Sequence, residues 1–220
     1  MNIEIEDVVR KAAPTLKVVT IEADVHNHPT DPMLRQELLD LAETIKSKYQ
    51  IPEINKRPAI AATRQAYKAL GKEPNRYRPS SEALCRRIAK GMELYFISNL
   101  VDVINVISIA SGYSIGGFDV DKISGDTLRL GSGRENEEYT GIGRGELNIA
   151  NMPVYRDEIG GIGTPTSDHE RTKLDLDTRR LLMCINIYGE EMPVDETVEL
   201  STRLLSQYCE ATNIKVTIYE

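Results

Sequence analysis

From Leu100 to Ile109 the chain is apolar except at Asp102, Asn105 and Ser108, and this stretch ends at Gly112. A helix that is apolar on nearly every side must be covered on every side. The stretch therefore predicts a buried central helix that runs from an Asn99 cap to Gly112. Asp102 and Asn105 share one side of this helix, and buried polar groups need partners. They are expected either to tie down neighbouring loops or to face a cavity.

The elements around this helix differ before and after it. A strand is predicted from Leu16 to Val25, and Gly116 begins a series of short strands separated by glycines. Three helices are expected before the central one, from an Asp31 cap to Tyr49, from Ala59 to Leu70, and from Ser80 or Ser81 to near Gly91. The strands after Gly116 read as one compact antiparallel assembly, followed by a helix over DETVELSTRLLSQYCEAT and a last strand over IKVTIY. No linker divides residues 1–220, which predicts one α+β domain whose termini pack together.

The composition describes an ordinary soluble protein, with 40% hydrophobic and 28% charged residues in 220. Tryptophan is absent and phenylalanine occurs twice, so Ile, Leu, Val and Tyr must form the core. The acidic start MNIEIEDVVRK is unlike a secretory signal. No apolar run approaches the roughly 20 residues of a membrane span, so no membrane partner is expected. The three cysteines form no C-x-x-C pair, which predicts reduced thiols, a cytoplasmic location and no structural zinc.

The basic residues are concentrated between Lys56 and Lys90. Ten lysines and arginines stand there against two acids, a net charge of +8 in a chain of net charge −7. Such a block can track a phosphate backbone even on an acidic protein. The alternative is a pair of helices whose charged side chains face water. The candidate nucleic-acid contacts are Arg64, Lys68, Arg76, Arg78, Arg86 and Arg87.

A glycine-rich stretch, EIGGIGTPTSDHERT, places Ser167, Asp168 and His169 side by side. Neighbouring side chains on an extended strand point to opposite faces, so the three cannot form a catalytic triad. The stretch also lacks the spacing of a P-loop or a dinucleotide-binding site. It is interpreted as the wall of a pocket that includes Gly160, Gly161, Thr164 and Ser167. His169 is the candidate acid–base group, and the alternative is a loop histidine bonded to backbone.

His26 and His28 are two residues apart, so on a strand their rings would share a face. A catalytic zinc needs a third ligand, which would have to be Asp24 or a distant carboxylate. Metal-dependent hydrolysis through these histidines is kept as a hypothesis, but the prediction is that the protein needs no metal and no cofactor.

Two stretches, residues 77–133 and residues 149–172, together resemble the B3/B4 domain of the bacterial phenylalanyl-tRNA synthetase β subunit. The second stretch occupies the place of that family's glycine-rich A-D…G-G segment. Residues 97–123, ISNLVDVINVISIASGYSIGGFDVDKI, are similar to that family's P-I-N-N-V-V-D-I-T-N-Y-V helix and the L-H-A-F-D-x-D-K-I that follows it. The matching residues are Ile97, Asn99, Val101, Asp102, Asn105, Phe118, Asp119, Asp121, Lys122 and Ile123. The resemblance covers roughly Arg57 to Tyr188 and implies a single three-layer β-β-α sandwich, a stand-alone relative without the synthetase's other parts.

The resemblance also implies a function, because this family hydrolyses tyrosine wrongly attached to tRNA in a pocket at the heart of the domain. It implies an aminoacyl-tRNA ester hydrolase, with tRNA as partner and the basic block as its contact surface. The expected acid–base residues are His169, Asp157 and Glu158. The expected substrate-binding residues are Gly116, Gly117, Phe118, Gly160, Gly161, Thr164, Ser167 and Arg171.

The sequence departs from the family pattern at two positions. Gly116 occupies the place of the family's histidine in L-H-A-F-D, and Tyr95 that of an arginine before P-I-N-N. The pocket could therefore have changed its substrate, moved its polar group to His169 or lost hydrolysis. The alternative function is a module that binds RNA or a free amino acid without turnover.

Overall fold

Two four-stranded sheets form the framework of the computed structural model, which describes every residue from Met1 to Glu220. The first sheet has the order β1 (Asn2–Ile5), β4 (Thr127–Ser132), β7 (Pro153–Arg156) and β8 (Gly161–Gly163). The second has the order β10 (Thr212–Tyr219), β2 (Lys17–Asp24), β9 (Arg180–Ile187) and β3 (Ser114–Asp119). A separate hairpin joins β5 (Thr140–Gly141) to β6 (Gly145–Glu146).

Five of the six α-helices follow the sequence predictions closely, and α1 was not predicted. The helices are α1 (Asp7–Ala12), α2 (Pro32–Lys48), α3 (Pro58–Leu70), α4 (Ser80–Ala89), α5 (Asn99–Ser111) and α6 (Val194–Cys209). The central helix α5 is buried and ends at Gly112, whose φ of 78° is left-handed, as glycine allows. Its cap is Ser98 rather than Asn99. The Asn99 side chain instead accepts from the Asp31 amide and donates to the Tyr208 carbonyl, at 2.7 and 2.6 Å.

Alternating side chains on the middle sheet separate two cores. On β9, Leu182 and Cys184 face the first sheet, whereas Leu181, Met183 and Ile185 face the helices. Strand β2 divides in the same way, since Val18 joins the core between the sheets and Val19 joins the helical core. The second sheet therefore lies between the first sheet and a helical layer, which confirms the three-layer β-β-α sandwich.

One expectation about the strands is wrong. Those after Gly116 do not form one compact antiparallel assembly but divide between both sheets. Strands β3 and β9 join β2 and β10, while β4, β7 and β8 join β1, and β1 pairs with β4 in parallel. Local alternation shows that a segment is a strand, but distant contacts decide which strand it pairs with.

The termini pack together, as predicted. The Met1 ammonium group lies 2.9 Å from the Glu22 carboxylate, and the Tyr219 hydroxyl donates to the Met1 carbonyl at 3.0 Å. All three cysteines are buried and unpaired. None of the helices is both long enough and apolar enough to cross a membrane.

Candidate functional site

A mostly apolar cavity of about 370 Å³ lies where the helical layer meets the edge of the second sheet. Helix α5 contributes Val101, Ile104, Asn105 and Ser108 to its wall. The rest of the wall is Ser80, Leu84, Ile97, Ile115, Gly117, Ile142, Asp168, Lys173 and Leu174. We call this space the apolar cavity. Its volume falls at the lower end of the range for small-molecule sites, and it combines an apolar lining with a few polar groups, as such sites do.

Asp168 is the acidic group in this cavity. It lies on a short extended segment that pairs with Gly163, and its Oδ2 accepts a hydrogen bond from the Gly117 amide at 3.0 Å. That is the one hydrogen bond its carboxyl makes within the protein. Burial raises the pKa of Asp168 to about 7, because the single amide bond offsets only part of the cost of burying the charge.

Glycines leave the room that Asp168 needs. A Cβ atom at Gly163 would lie 3.0 Å from Asp168 Oδ1 and 2.5 Å from the Phe118 ring. A Cβ atom at Gly116 would lie 2.6 Å from the same ring. The position that holds histidine in the resembling family is therefore packed against Phe118, and a side chain there would displace that ring.

Asp102 and Asn105 take different roles. Asp102 ties down two loops, because it accepts a hydrogen bond from the Thr30 hydroxyl at 2.6 Å and from the Ile97 amide at about 3.2 Å. Asn105 lies on the wall of the apolar cavity. The sequence left open whether these two residues tie down loops or face a cavity. Asp102 does the first and Asn105 does the second.

A second site, which we call the polar cleft, measures about 720 Å³. Its wall contains most of the predicted acid–base and substrate-binding residues, namely Asp157, Glu158, Gly160, Gly161, His169 and Arg171. Asp168 and His169 are adjacent on an extended segment, so they face different sites, as strand geometry requires. The pocket wall predicted from the sequence therefore separates two sites.

Asp157 is fully bonded within the polar cleft. Arg171 reaches both of its oxygens at 2.9 Å, and the amides of Ser124, Ile159 and Gly160 donate to it at 2.9 to 3.0 Å. Burial disfavours the charged carboxylate, but these bonds outweigh it and lower the pKa of Asp157. The Gly160 amide is occupied by the same carboxylate. This geometry favours a structural role for Asp157 and Arg171 over a role in chemistry.

His169 is also engaged by its neighbours. Its Nδ1 accepts a hydrogen bond from the Arg171 amide at 2.9 Å, and its ring meets Tyr139 edge to face, with centroids 4.9 Å apart. Burial, together with the Arg171 charge, lowers its pKa. In the neutral ring Nδ1 is then the acceptor and Nε2 carries the proton. This geometry matches the alternative prediction for His169, which was a loop histidine bonded to backbone.

The remaining predicted pocket residues lie in the wall. Gly117 lines the apolar cavity, while Gly116 and Phe118 are buried beside it. Thr164 and Ser167 bond to each other's backbone in a turn, since the Thr164 hydroxyl donates to the Ser167 carbonyl at 2.9 Å and accepts from the Ser167 amide. Glu158 is exposed and accepts from the Ser124 hydroxyl at 3.3 Å.

The basic block is less open than its sequence suggests. Arg64 is buried, with its guanidinium 2.8 Å from the fully buried Glu82, so its prediction as a surface RNA contact is corrected. Glu82 also pairs with Arg86 at 2.7 Å and lies 3.9 Å from Arg78. Lys68, Arg76 and Arg87 make no ion pair with an acidic residue.

His26 and His28 both lie near one carboxylate, that of Glu210, at 3.5 and 3.3 Å. No group of three or more His, Cys, Asp or Glu side chains is arranged to hold a metal ion. The geometry offers no support to the hypothesis of metal-dependent hydrolysis.

Asp168 and Asn105 were not among the site residues predicted from the sequence. A signal was present in Gly116 and Gly117, a pair of small residues that lets other side chains pack closely against a strand. Only the fold brings Asp168 to this place, where the Gly117 amide donates to it.

The chain belongs to the B3/4 domain family, whose model matches residues 62–208. This confirms the resemblance found in the sequence. Among solved structures, an N-terminal fragment of the phenylalanyl-tRNA synthetase β subunit from Pyrococcus horikoshii is similar over 98% of this chain, with 12% identity and a TM-score of 0.45. The match covers 50% of that fragment, so the chain spans about half of its length. No match was found among curated proteins.

Proposed function

We propose that this protein binds the aminoacylated 3′ end of a tRNA and hydrolyses the ester when the amino acid fits the apolar cavity. The observation that carries the proposal is the carboxyl of Asp168, held by one backbone amide in the wall of that cavity. The substrate class comes from the resemblance of residues 97–123 to the B3/B4 domain of the phenylalanyl-tRNA synthetase β subunit, together with membership of the B3/4 domain family.

The lining of the apolar cavity suits a side chain with an apolar body and one polar group. Isoleucine, leucine and valine side chains would surround the body, and Asn105, Ser108 and Asp168 offer hydrogen bonds. A site built to bond a hydroxyl rejects analogues that lack it by a large factor. Tyrosine, the amino acid expected from the resemblance, has this character.

Asp168 would act as the general base. As a carboxylate it accepts a proton from water while the water oxygen attacks the ester carbonyl carbon. The bond from that carbon to the ribose oxygen then breaks, and the proton passes to the ribose. A pKa of about 7 suits a base working near neutrality, so the rate should rise with pH through about 7 and then level off.

A binding module without turnover is the second candidate. Gly116 in place of the family's histidine favours it, because the Phe118 ring leaves no room for a side chain there. In this case ligands would occupy the apolar cavity and no ester would be cleaved.

The test is a deacylation time course with Tyr-tRNA(Phe), Phe-tRNA(Phe) and other mischarged tRNAs, comparing Asp168→Asn with His169→Ala. These neighbouring residues face different sites, so each variant controls for the other. We expect Asp168→Asn to slow hydrolysis about 100-fold or more and His169→Ala to change it much less. The reverse result would move the chemistry to the polar cleft. Tyrosine or tRNA binding without any hydrolysis by the wild type would favour the binding module.

A further inference from the structure

A smaller cavity of about 130 Å³ extends the apolar cavity past α4. The two spaces share Leu84, Ile97 and Asn105 in their walls. Arg87 and Tyr95 line only the smaller one, which places them beside the larger one, past the shared wall, and we call this place its rim.

Tyr95 is unusually open for an aromatic residue, with 68% of it exposed. The Arg87 guanidinium lies over its ring, 4.2 Å from the centroid. Its hydroxyl makes no hydrogen bond within the protein. The Arg87–Tyr95 pair therefore presents a supported aromatic ring to solvent, and neither core packing nor hydrogen bonding explains its position.

The charge of Arg87 is also not paired with an acidic side chain. Its one hydrogen bond runs from Nε to the Glu93 carbonyl, and it makes no ion pair with an acid. Arg86, the preceding residue, is by contrast paired with Glu82 at 2.7 Å. The terminal nitrogens of Arg87 thus remain available to an anion beside the exposed ring.

We propose that Tyr95 stacks on the terminal base of the bound tRNA while Arg87 contacts a phosphate of the same strand. Aromatic rings beside cations are the usual means of binding single-stranded nucleic acid. In an aminoacyl-tRNA one ribose carries both the ester and the terminal base, so a base site must lie at the rim of an amino-acid site. The Arg87–Tyr95 pair occupies that place. This inference rests on the proposed function and identifies the part of the partner that the rim recognises.

The test measures binding of an RNA hairpin that copies an acceptor stem with its single-stranded 3′ end. Tyr95→Ala should weaken binding about tenfold, and Tyr95→Phe should change it less than about twofold, because stacking needs the ring and not the hydroxyl. Ile218→Ala, a change at a half-exposed apolar residue on β10, is the control and should have no effect. Since Tyr95 is largely exposed, the thermal midpoint of each variant should stay unchanged.

A second RNA, lacking only the terminal base, completes a double-mutant cycle. The wild type should bind it about tenfold more weakly, and Tyr95→Ala should cause no further loss with it. Equal loss in Tyr95→Ala with and without the base would overturn the stacking assignment. Competition by free AMP as strong as by the hairpin would also overturn it, in favour of a nucleotide site.

The outcomes separate the two proposals. A wild type that binds no hairpin removes the stacking role, and it removes the hydrolase as well only when no mischarged tRNA is cleaved. Binding that is insensitive to Tyr95→Ala removes only the stacking role. Sensitivity to Tyr95→Ala without hydrolysis of any mischarged tRNA keeps the stacking role and removes the hydrolase.

Discussion

The carboxyl groups of Asp157 and Asp168 are both at least partly buried near the candidate site, but their surroundings move their pKa values in opposite directions. Asp157 accepts bonds from Arg171 and three backbone amides, which hold its pKa low. Asp168 accepts one amide bond, and burial raises its pKa to about 7. Bonds to the charged form and loss of water act in opposite senses, and their balance decides which carboxyl can exchange a proton near neutrality.

The raised pKa of Asp168 predicts a pH-dependent stability. The folded state keeps a proton on this group that the unfolded state releases near pH 4, so its contribution to stability is lost as pH rises from about 4 to about 7. Asp168→Asn should remove this loss and make the protein about 1–2 kcal/mol more stable than wild type at pH 8. This is less than the full pKa shift implies, because Asp168 is partly open to solvent. Urea unfolding of both proteins from pH 4 to 8 measures it, and parallel curves would contradict it.

The Asp157–Arg171 pair predicts a different result. Asp157 is fully buried, so Arg171→Ala would leave a buried carboxylate without its main partner. We expect a loss of about 3 kcal/mol in the free energy of unfolding at pH 7. Arg180→Ala is a matched control, because its pair with Asp121 is exposed and should be worth less than about 1 kcal/mol. Equal effects of the two variants in urea unfolding would argue against a structural role for the buried pair.

Among the elements, α4 shows how a helix divides its charges between buried ion pairs and the open surface. Glu82 is fully buried and forms ion pairs with Arg64 at 2.8 Å and with Arg86 at 2.7 Å. Arg87, one residue further on, lies at the rim of the apolar cavity without an ion pair. Arg86 and Arg87 therefore have different partners, because successive residues of a helix lie on different faces.

Substitution of Arg86 and substitution of Arg87 are therefore expected to have different effects. Arg86→Ala should mainly lower the thermal midpoint, since it removes a partner of a buried carboxylate. Arg87→Ala should mainly weaken RNA binding and reduce the slope of log affinity against log salt by about 1. Binding titrations at several salt concentrations, with melting curves for each protein, distinguish the two. Loss of stability in Arg87→Ala with unchanged RNA binding would reverse the assignment.

At the scale of the whole molecule, an acidic chain has a local basic surface. The net charge is −7, and the ion pairs inside the basic block reduce its open charge further. Lys56, Lys68, Arg76, Arg87 and Lys90 remain exposed or partly exposed without acidic partners. RNA is therefore expected to meet a small positive surface on a protein that otherwise repels it.

That charge distribution predicts a moderate salt dependence of tRNA binding. If these five residues each neutralise one phosphate, log affinity should fall against log salt with a slope of about −3.5 to −4.5. Filter binding between about 50 and 200 mM salt measures the slope. A slope near zero would exclude the basic block as the RNA contact, and Lys215→Ala, on the distant strand β10, should leave the slope unchanged.

Much of the fold could be predicted because its signals are local. The apolar run of α5, the caps and the glycines at 71 and 112 place the helices almost to the residue. The resemblance of residues 97–123 to the B3/B4 family predicts the three layers, and the family match agrees. Divergence of Asp168 and His169 also follows from strand geometry alone.

The functional site depended on contacts between residues far apart in the chain. Gly117 is 51 residues from Asp168, and their hydrogen bond decides which carboxyl faces the apolar cavity. The burial of Arg64 beside Glu82 likewise cannot be read from a list of charges. The sequence by itself determined the elements and their alternation, because these depend on neighbouring residues. Only the tertiary structure decided which strands pair, which charged side chains stay open to solvent and which carboxyl has a pKa near 7. Each of these depends on contacts between residues that are far apart in the chain.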